Sequence, residues 1–340
     1  MYRVVVLMMV MSFVLSEAVD VSLQQEKVLF AKYQKFMQQF NKTYNTLDEM
    51  QGKFKVFTNN MNMTEKSVNK SFGVTKFMDM TPEDFQKNYL KLNVSMQLPL
   101  NNTRNWYNET RGTEAKGRFL QYLGSAVPAS FDWRKRGAVN EVQTQGLCGG
   151  CWAFSALANL EGLYFIKYGY LPKFSEQQLI DCDPYNSGCS GGIMGNAYEY
   201  LRTYGIQSEA TYSYLFNQGY CQYNSQAANS VVSTWTSAGT DDEEYIKEML
   251  FTTGPLAVTI NASTLQYYTG GVIDVSYEEC PIGPNHGVNL VGYGTSEYGQ
   301  DYWIVRNTWG SDWGEDGYFR LARGRSLCGI NQYVVSAILH

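Results

Sequence analysis

The residues best suited to covalent chemistry are gathered in Gln145-Gly146-Leu147-Cys148-Gly149-Gly150-Cys151-Trp152-Ala153-Phe154-Ser155. A cysteine attacks as its thiolate, so a nucleophilic cysteine needs a lowered pKa. Cys151 stands where a glycine-rich turn runs into an apolar stretch that reads as a helix. The positive end of that helix dipole favours a thiolate, and the flanking glycines let a substrate backbone come close. Attack on an amide also creates an oxyanion, which needs fixed donors. The Gln145 side-chain amide and the Cys151 backbone N–H are the candidates.

A base must accompany the thiol. The 340 residues hold two histidines, His286 and His340, which excludes a three-histidine metal site. His340 is the final residue and is expected to fray. His286, in Asn285-His286-Gly287-Val288, opens an apolar strand. A histidine base needs a group that fixes its tautomer. Asn307, in Arg306-Asn307-Thr308-Trp309-Gly310, is the candidate, with Trp309 and Trp313 to keep water from the Asn–His bond. Two readings remain beside this one. His286 can be a satisfied structural histidine, and Cys148-x-x-Cys151 can be a redox or zinc pair.

These residues need elements to position them. A helix is expected from Cys151, carrying Ala153, Phe154, Leu157, Leu160 and Leu163. Ser175-Glu176-Gln177-Gln178 reads as a capping box, and Asp241-Asp242-Glu243-Glu244 opens a helix that ends at Gly254-Pro255. Strands are expected at Leu256–Ile260, Val288–Val291, Tyr302–Val305 and Tyr318–Leu321. Helices followed by strands point to an α+β fold.

The first third of the chain is different. Residues 22–40 read as a helix with apolar Val28, Phe30, Ala31, Phe36 and Phe40, and 47–63 as a second with Phe54, Phe57 and Met61. Thr81-Pro82-Glu83-Asp84 starts a third. Residues 92–118, rich in Asn, read as an exposed linker. Arg3, the apolar run 4–15 and Ser16-Glu17-Ala18 form a secretory signal over 1–18, too short to span a bilayer. An oxidising route follows. It suits the seven N-x-[ST] sequons at Asn41, Asn62, Asn69, Asn93, Asn101, Asn108 and Asn261, as well as an odd count of seven cysteines, all after residue 147.

Composition limits the partners. With 44% apolar and 17% charged residues a packed core is available and wholesale disorder is excluded. A net charge of −5 argues against nucleic acid. Residues 127–340 hold 11 Lys+Arg and 21 Asp+Glu, a net −10, so the preceding residues carry +5. A basic leader beside an acidic body fits an intramolecular partner.

Gln145–Ser155, Asn285–Gly287 and Asn307–Gly310 together resemble the papain-like cysteine peptidases, which include the lysosomal cathepsins. Gly188–Gly192, Trp309-Gly310 and Trp313–Tyr318 match further blocks of that family. Glu49, Lys53, Phe57 and Asn60, with Gly73–Asp79, look like its propeptide motifs, in a form closer to cathepsin F-like members. The departures are Gly150 for Ser or Ala, Thr308 for Ser, Lys53 for Arg, and Thr64 where Ile or Ala is usual. His286 and Asn307 follow Cys151 by 135 and 156 residues.

The resemblance implies a two-lobed papain-like fold (helical lobe, β-barrel-like lobe, cleft between them) at 127–340, behind a helical inhibitory propeptide at 19–126. It implies a secreted or lysosomal zymogen of a cysteine endopeptidase that acts on proteins and peptides through a Cys151 thioester. It needs no metal or organic cofactor. Its partners are its own propeptide and cystatin-type inhibitors, and it is a monomer. The pairs implied are Cys148–Cys189, Cys182–Cys221 and Cys280–Cys328, which leave Cys151 free. Substrate would lie on Gly191, Gly192 and Trp309. The pocket for the second residue before the scissile bond is lined by Met194, Thr259, Pro284 and Gly287 with Tyr333 at its base, so bulky apolar side chains are expected there. Cleavage near Ala126–Val127 releases the mature enzyme, and acid triggers it.

Overall fold

A computed structural model describes residues 24–66, 70–96, 127–238 and 242–340. The signal segment, Asn69, Asn101, Asn108, most of the expected linker and Ala126 lie outside the described residues. The chain divides into two compact units, one of them residues up to 67 with Lys76–Thr81, the other Val68–Thr75 with Pro82–His340. Leader residues 70–75 and 82–96 thus fold with the body.

The first unit holds helix α1 over residues 24–39 and α2 over Leu47–Lys66. Their seam is aromatic. Tyr33 packs 5.3 Å from both Phe54 and Phe57, and Phe36 lies 5.1 Å from Phe57. Val28 departs from expectation and is exposed, because the buried stripe of α1 runs through Tyr33 and Phe36. Buried Asn60 donates to the carbonyls of Met78 and Met80. The Asp79 carboxylate accepts from Lys42 Nζ and from the Tyr44 hydroxyl, each at 2.9 Å.

The second unit contains α3 (Pro82–Tyr89), α4 (Cys151–Tyr168), α5 (Glu176–Cys182), α6 (Met194–Tyr204) and α7 (Glu243–Thr253). Its strands are β1 (Phe131–Asp132), β2 (Val232–Ser237), β3 (Leu256–Ile260), β4 (Val272–Ile273), β5 (His286–Thr295), β6 (Asp301–Arg306), β7 (Tyr318–Ala322) and β8 (Val334–Leu339). They form one sheet in the order β2-β8-β3-β5-β6-β7-β4, with β1 on β5. β3 pairs antiparallel with both β5 and β8, and β4 runs parallel to β7.

Helix α4 is the central beam. Its residues Cys151 to Leu163 are all buried, which suits an element apolar on every side. Asn159, buried on α4, uses its whole amide. It donates to Pro255 O and Ser336 Oγ and accepts from Tyr198 OH and Ala337 N. That tethers α4 to α6, β8 and the turn before β3 without leaving an orphaned polar atom.

Several expectations shift. Strand β5 begins at His286, two residues before the expected start, and runs on to Thr295. Its glycines read as breakers in the sequence. In the sheet they are close approaches: a Cβ at Gly292 would lie 2.5 Å from Phe131 O. The short or polar strands β1, β2 and β4 and the C-terminal β8 carry too weak an alternation to be read. The capping box on α5 is half formed. Ser175 Oγ accepts from Gln178 N–H, but the Gln178 side chain turns to Tyr200, Gly205 and Gln207 instead. Leu92 and Asn93, expected in an exposed linker, pair with the body through their backbones.

Candidate active site

Cys151 is the first residue of α4, capped by Gly150, whose chain offers no side-chain cap. The helix therefore begins with unpaired N–H groups, and those of Cys151 and Trp152 face the thiol, as does the Gly287 N–H from β5. A Cβ at Gly287 would lie 3.2 Å from Cys151 O, which shows how closely β5 approaches α4. Two buried side chains lock that approach one turn further in. Ser155 Oγ donates to Val288 O at 2.7 Å, and Asn289 Nδ2 returns a bond to Ser155 O at 2.9 Å. Sequence reasoning passed over this pair; the signal was polar residues inside apolar runs.

His286 is fully buried. Its Nε2 lies 2.8 Å from Asn307 Oδ1, which also accepts the Thr308 N–H at 2.8 Å. An oxygen serving the Thr308 N–H can only accept, so Nε2 carries the proton and Nδ1 keeps its lone pair. Nδ1 has no hydrogen-bond partner among the described residues. Trp309 stacks on the imidazole at 4.9 Å and 29°, and Trp313 meets Trp309 edge-on at 4.9 Å.

Gln145 is buried. Its Nε2 donates to Cys148 O at 3.0 Å, which leaves the second amide hydrogen, while Oε1 accepts from Thr308 Oγ1 at 2.6 Å. Tyr214, which the sequence did not single out, donates to Gln145 O at 2.7 Å and sets its ring edge 5.0 Å from Phe154 of α4. One ring thus spaces the Gln145 loop from the thiol helix.

Disulfides join Cys148 to Cys189, Cys182 to Cys221 and Cys280 to Cys328. Cys151 is free and buried. Cys148 is therefore unavailable for a redox or zinc pair with Cys151. The residues named for the pocket lie together. Met194 Sδ is 3.4 Å from a Cβ placed on Gly287, Thr259 is the register partner of Gly287 and donates its N–H to Tyr333 O, and the Tyr333 hydroxyl abuts Gly195. Pro284 is half-buried two residues before His286.

The leader occupies this site. Phe85 and Tyr89 of α3 stand edge-on to Trp309 at 5.2 and 6.1 Å. Leu92 N–H donates to Asn285 O and Asn93 N–H to Gly192 O, each at 3.1 Å, in a parallel bridge of Leu92 with Gly192. The Lys91 N–H faces the thiol, and the Lys91 carbonyl would lie 2.0 Å from a Cβ at Gly191, so that position (φ 120°) admits only glycine.

Electrostatics follow from this cover. Burial pushes the Cys151 thiol up to about 11, against the pull of the surrounding N–H groups. Burial pushes His286 down to about 4, opposed by the Asn307 bond. The helix dipole alone was expected to favour a thiolate; under the leader desolvation outweighs it, and thiol and imidazole are both neutral.

Residues 127–338 match the papain family cysteine protease profile, and residues 33–85 match the cathepsin propeptide inhibitor domain. The chain belongs to the papain family. Cathepsin F of Drosophila melanogaster is 35% identical over 320 residues, which cover 90% of this chain but 50% of that protein. Cysteine proteinase 15A of Pisum sativum is 36% identical, covering 95% and 90%. The structure of digestive procathepsin L2 proteinase from Tenebrio molitor larval midgut aligns with a TM-score of 0.80 at 34% identity, covering 92% of this chain and 100% of that one. This papain-family chain is a cysteine endopeptidase zymogen with its own inhibitory propeptide.

Proposed function

We propose that Cys151 is the nucleophile, His286 its base and acid, Asn307 the orienting group, and Gln145 with the Cys151 N–H the oxyanion donors. The observation that carries this reading is the buried His286, held at Nε2 by Asn307 with Nδ1 unpartnered, on the strand whose next N–H faces the free thiol. Once Lys91 leaves, water returns, the thiol loses its desolvation penalty and His286 Nδ1 takes its proton. The thiolate adds to the carbonyl carbon, and the oxygen gathers charge between the Gln145 amide and the Cys151 N–H. Collapse expels the amine, which takes its proton from His286. Water activated by His286 then cleaves the thioester and restores the thiol.

Domain limits of 1–18, 19–126 and 127–340, a secretory route with an acidic destination, and action as a monomer complete the reading. Sugar attachment fits Asn41, Asn62 and Asn93, whose side chains are exposed. A sugar at Asn261 is disfavoured, since its Nδ2, the atom a sugar would take, donates to Gly283 O from a buried position. The apolar lining of Met194 and Gly287 supports bulky apolar residues two before the scissile bond.

An epoxysuccinyl thiol reagent tests the catalytic reading. It should label Cys151 in the processed enzyme and leave the zymogen unlabelled at neutral pH. Equal labelling of both, or labelling of another residue, would reject it. Hydrolysis of Z-Leu-Arg and Z-Arg-Arg fluorogenic peptides at equal rates would reject the pocket assignment.

A further inference from the structure

Leader residues 70–75 lie along Gln266–Val272, the end of a 3₁₀ turn and the loop that leads into β4. The bridge of Phe72 with Tyr268 is antiparallel. Gly73 N–H donates to Tyr267 O and Thr269 N–H to Ser71 O, each at 2.8 Å. Two hydroxyls complete the seat: Ser71 Oγ donates to Val272 O at 3.0 Å and Thr75 Oγ1 to Gln266 O at 2.5 Å. A Cβ on Gly73 would come 3.2 Å from Thr269 Cγ2, so the middle position must be small. The stretch therefore reads backbone, with a hydroxyl at each end and a small residue between them.

Removal of the leader takes these partners away from the main chain of 267–272 and opens it to another extended segment. The stretch does not depend on the leader for its shape. Tyr268 OH donates to Gly271 O at 2.7 Å, and Gly271 N–H to Glu315 Oε1 at 2.8 Å, with Arg320 bridging Glu315. It is also close to the chemistry. Ring-to-ring steps of 5.5, 4.9 and 4.9 Å lead from Tyr268 through Trp313 and Trp309 to His286. About five extended residues at roughly 3.3 Å each span that interval. The Trp309 face along the way is the one that α3 covers and a departing leader uncovers.

We propose that Gln266–Val272 of the processed enzyme is a second binding site, which holds an extended segment of a protein substrate by main-chain hydrogen bonds on the Trp309 side of the cleft. This rests on the leader being released as described above. Short peptides cannot reach from Cys151 to this stretch; unfolded proteins can.

The experiment uses the processed enzyme, an unfolded protein substrate, a fluorogenic dipeptide and a capped peptide of leader residues 70–76. The peptide should raise KM for the protein about fivefold, the order expected when one substrate hydrogen bond or two must be forfeited, with dipeptide hydrolysis unchanged. The same peptide carrying Gly73→Val, or Ser71→Ala with Thr75→Val, should lose that effect. A fluorescent version should still bind enzyme whose thiol has been alkylated, so binding is read without turnover. Parallel inhibition of protein and dipeptide, loss of binding on alkylation, or no effect of the parent peptide would each overturn the proposal. Failure of dipeptide hydrolysis with peptide binding intact would count against the catalytic reading alone.

Discussion

The first unit and the body around Cys151 are held together by different means. The first unit relies on an aromatic seam between α1 and α2, and its polar anchor is one buried carboxylate, Asp79, accepting from Lys42 and Tyr44. The body is cross-linked at Cys148–Cys189 and Cys182–Cys221 beside the thiol helix, and it buries carboxyl groups that resist ionisation. Burial lifts Asp183 to about 7 despite donors from Tyr185 and Asn186. Burial and the neighbouring Glu161 raise Glu176, with Lys173 opposing. The body's response to acid follows from these carboxyl groups. The folded Asp183 value exceeds the unfolded value of about 3.9. The folded body keeps a proton that the unfolded chain has lost, so stability is full below about pH 4 and declines as pH rises through 7. Asp79 anchors the first unit through its bonds to Lys42 and Tyr44. Acid favours the body.

The largest test of this contrast is Cys151→Ala. It should lower peptidase activity at least about 10³-fold and leave the leader attached in purified protein, as seen by gel mobility after acid treatment. Leader release at the usual rate would show that an outside protease does the cutting. Next, replacing Cys182 and Cys221 together by Ser should cost the body about 4 kcal/mol, from the closed loop of 39 residues, read by denaturant unfolding of the processed enzyme. Asp79→Asn should cost the first unit about 2 kcal/mol and let the zymogen process several-fold faster at neutral pH. Unchanged processing would mean that Asp79 does not gate release. The smallest effect is Asp183→Asn. It should flatten the fall in stability of the processed enzyme between about pH 4 and 7, read by denaturant unfolding at each pH.

Much of the site was legible because its chemistry restricts residue choice. A thiol on a glycine-rich turn, a histidine without a rival and a tryptophan-flanked asparagine each leave a local mark. The partners that fix their geometry leave none. Tyr214, Ser155 and Asn289 act through contacts with residues 69, 133 and 134 positions away, and no local pattern encodes those distances. Helices α2, α4 and α7 were readable from their apolar spacing and caps. Strand β5 was cut short because Gly287 and Gly292 look like breaks until the backbones they admit are seen. The linker reading failed at Leu92 and Asn93 for a related reason: main-chain pairing with Asn285 and Gly192 asks nothing distinctive of the side chains.

The seat of the leader segment in the cleft has a kinetic consequence. Leu92 and Asn93 are tied to Asn285 and Gly192 by main-chain hydrogen bonds, so the segment fills the cleft for as long as those bonds hold. Occupancy of the cleft is then set by the rate at which the segment lets go, and restraint lasts as long as the chain stays bound. A population of such molecules would wake with a lag fixed by the first dissociation events and accelerate as each freed enzyme began to cut its neighbours.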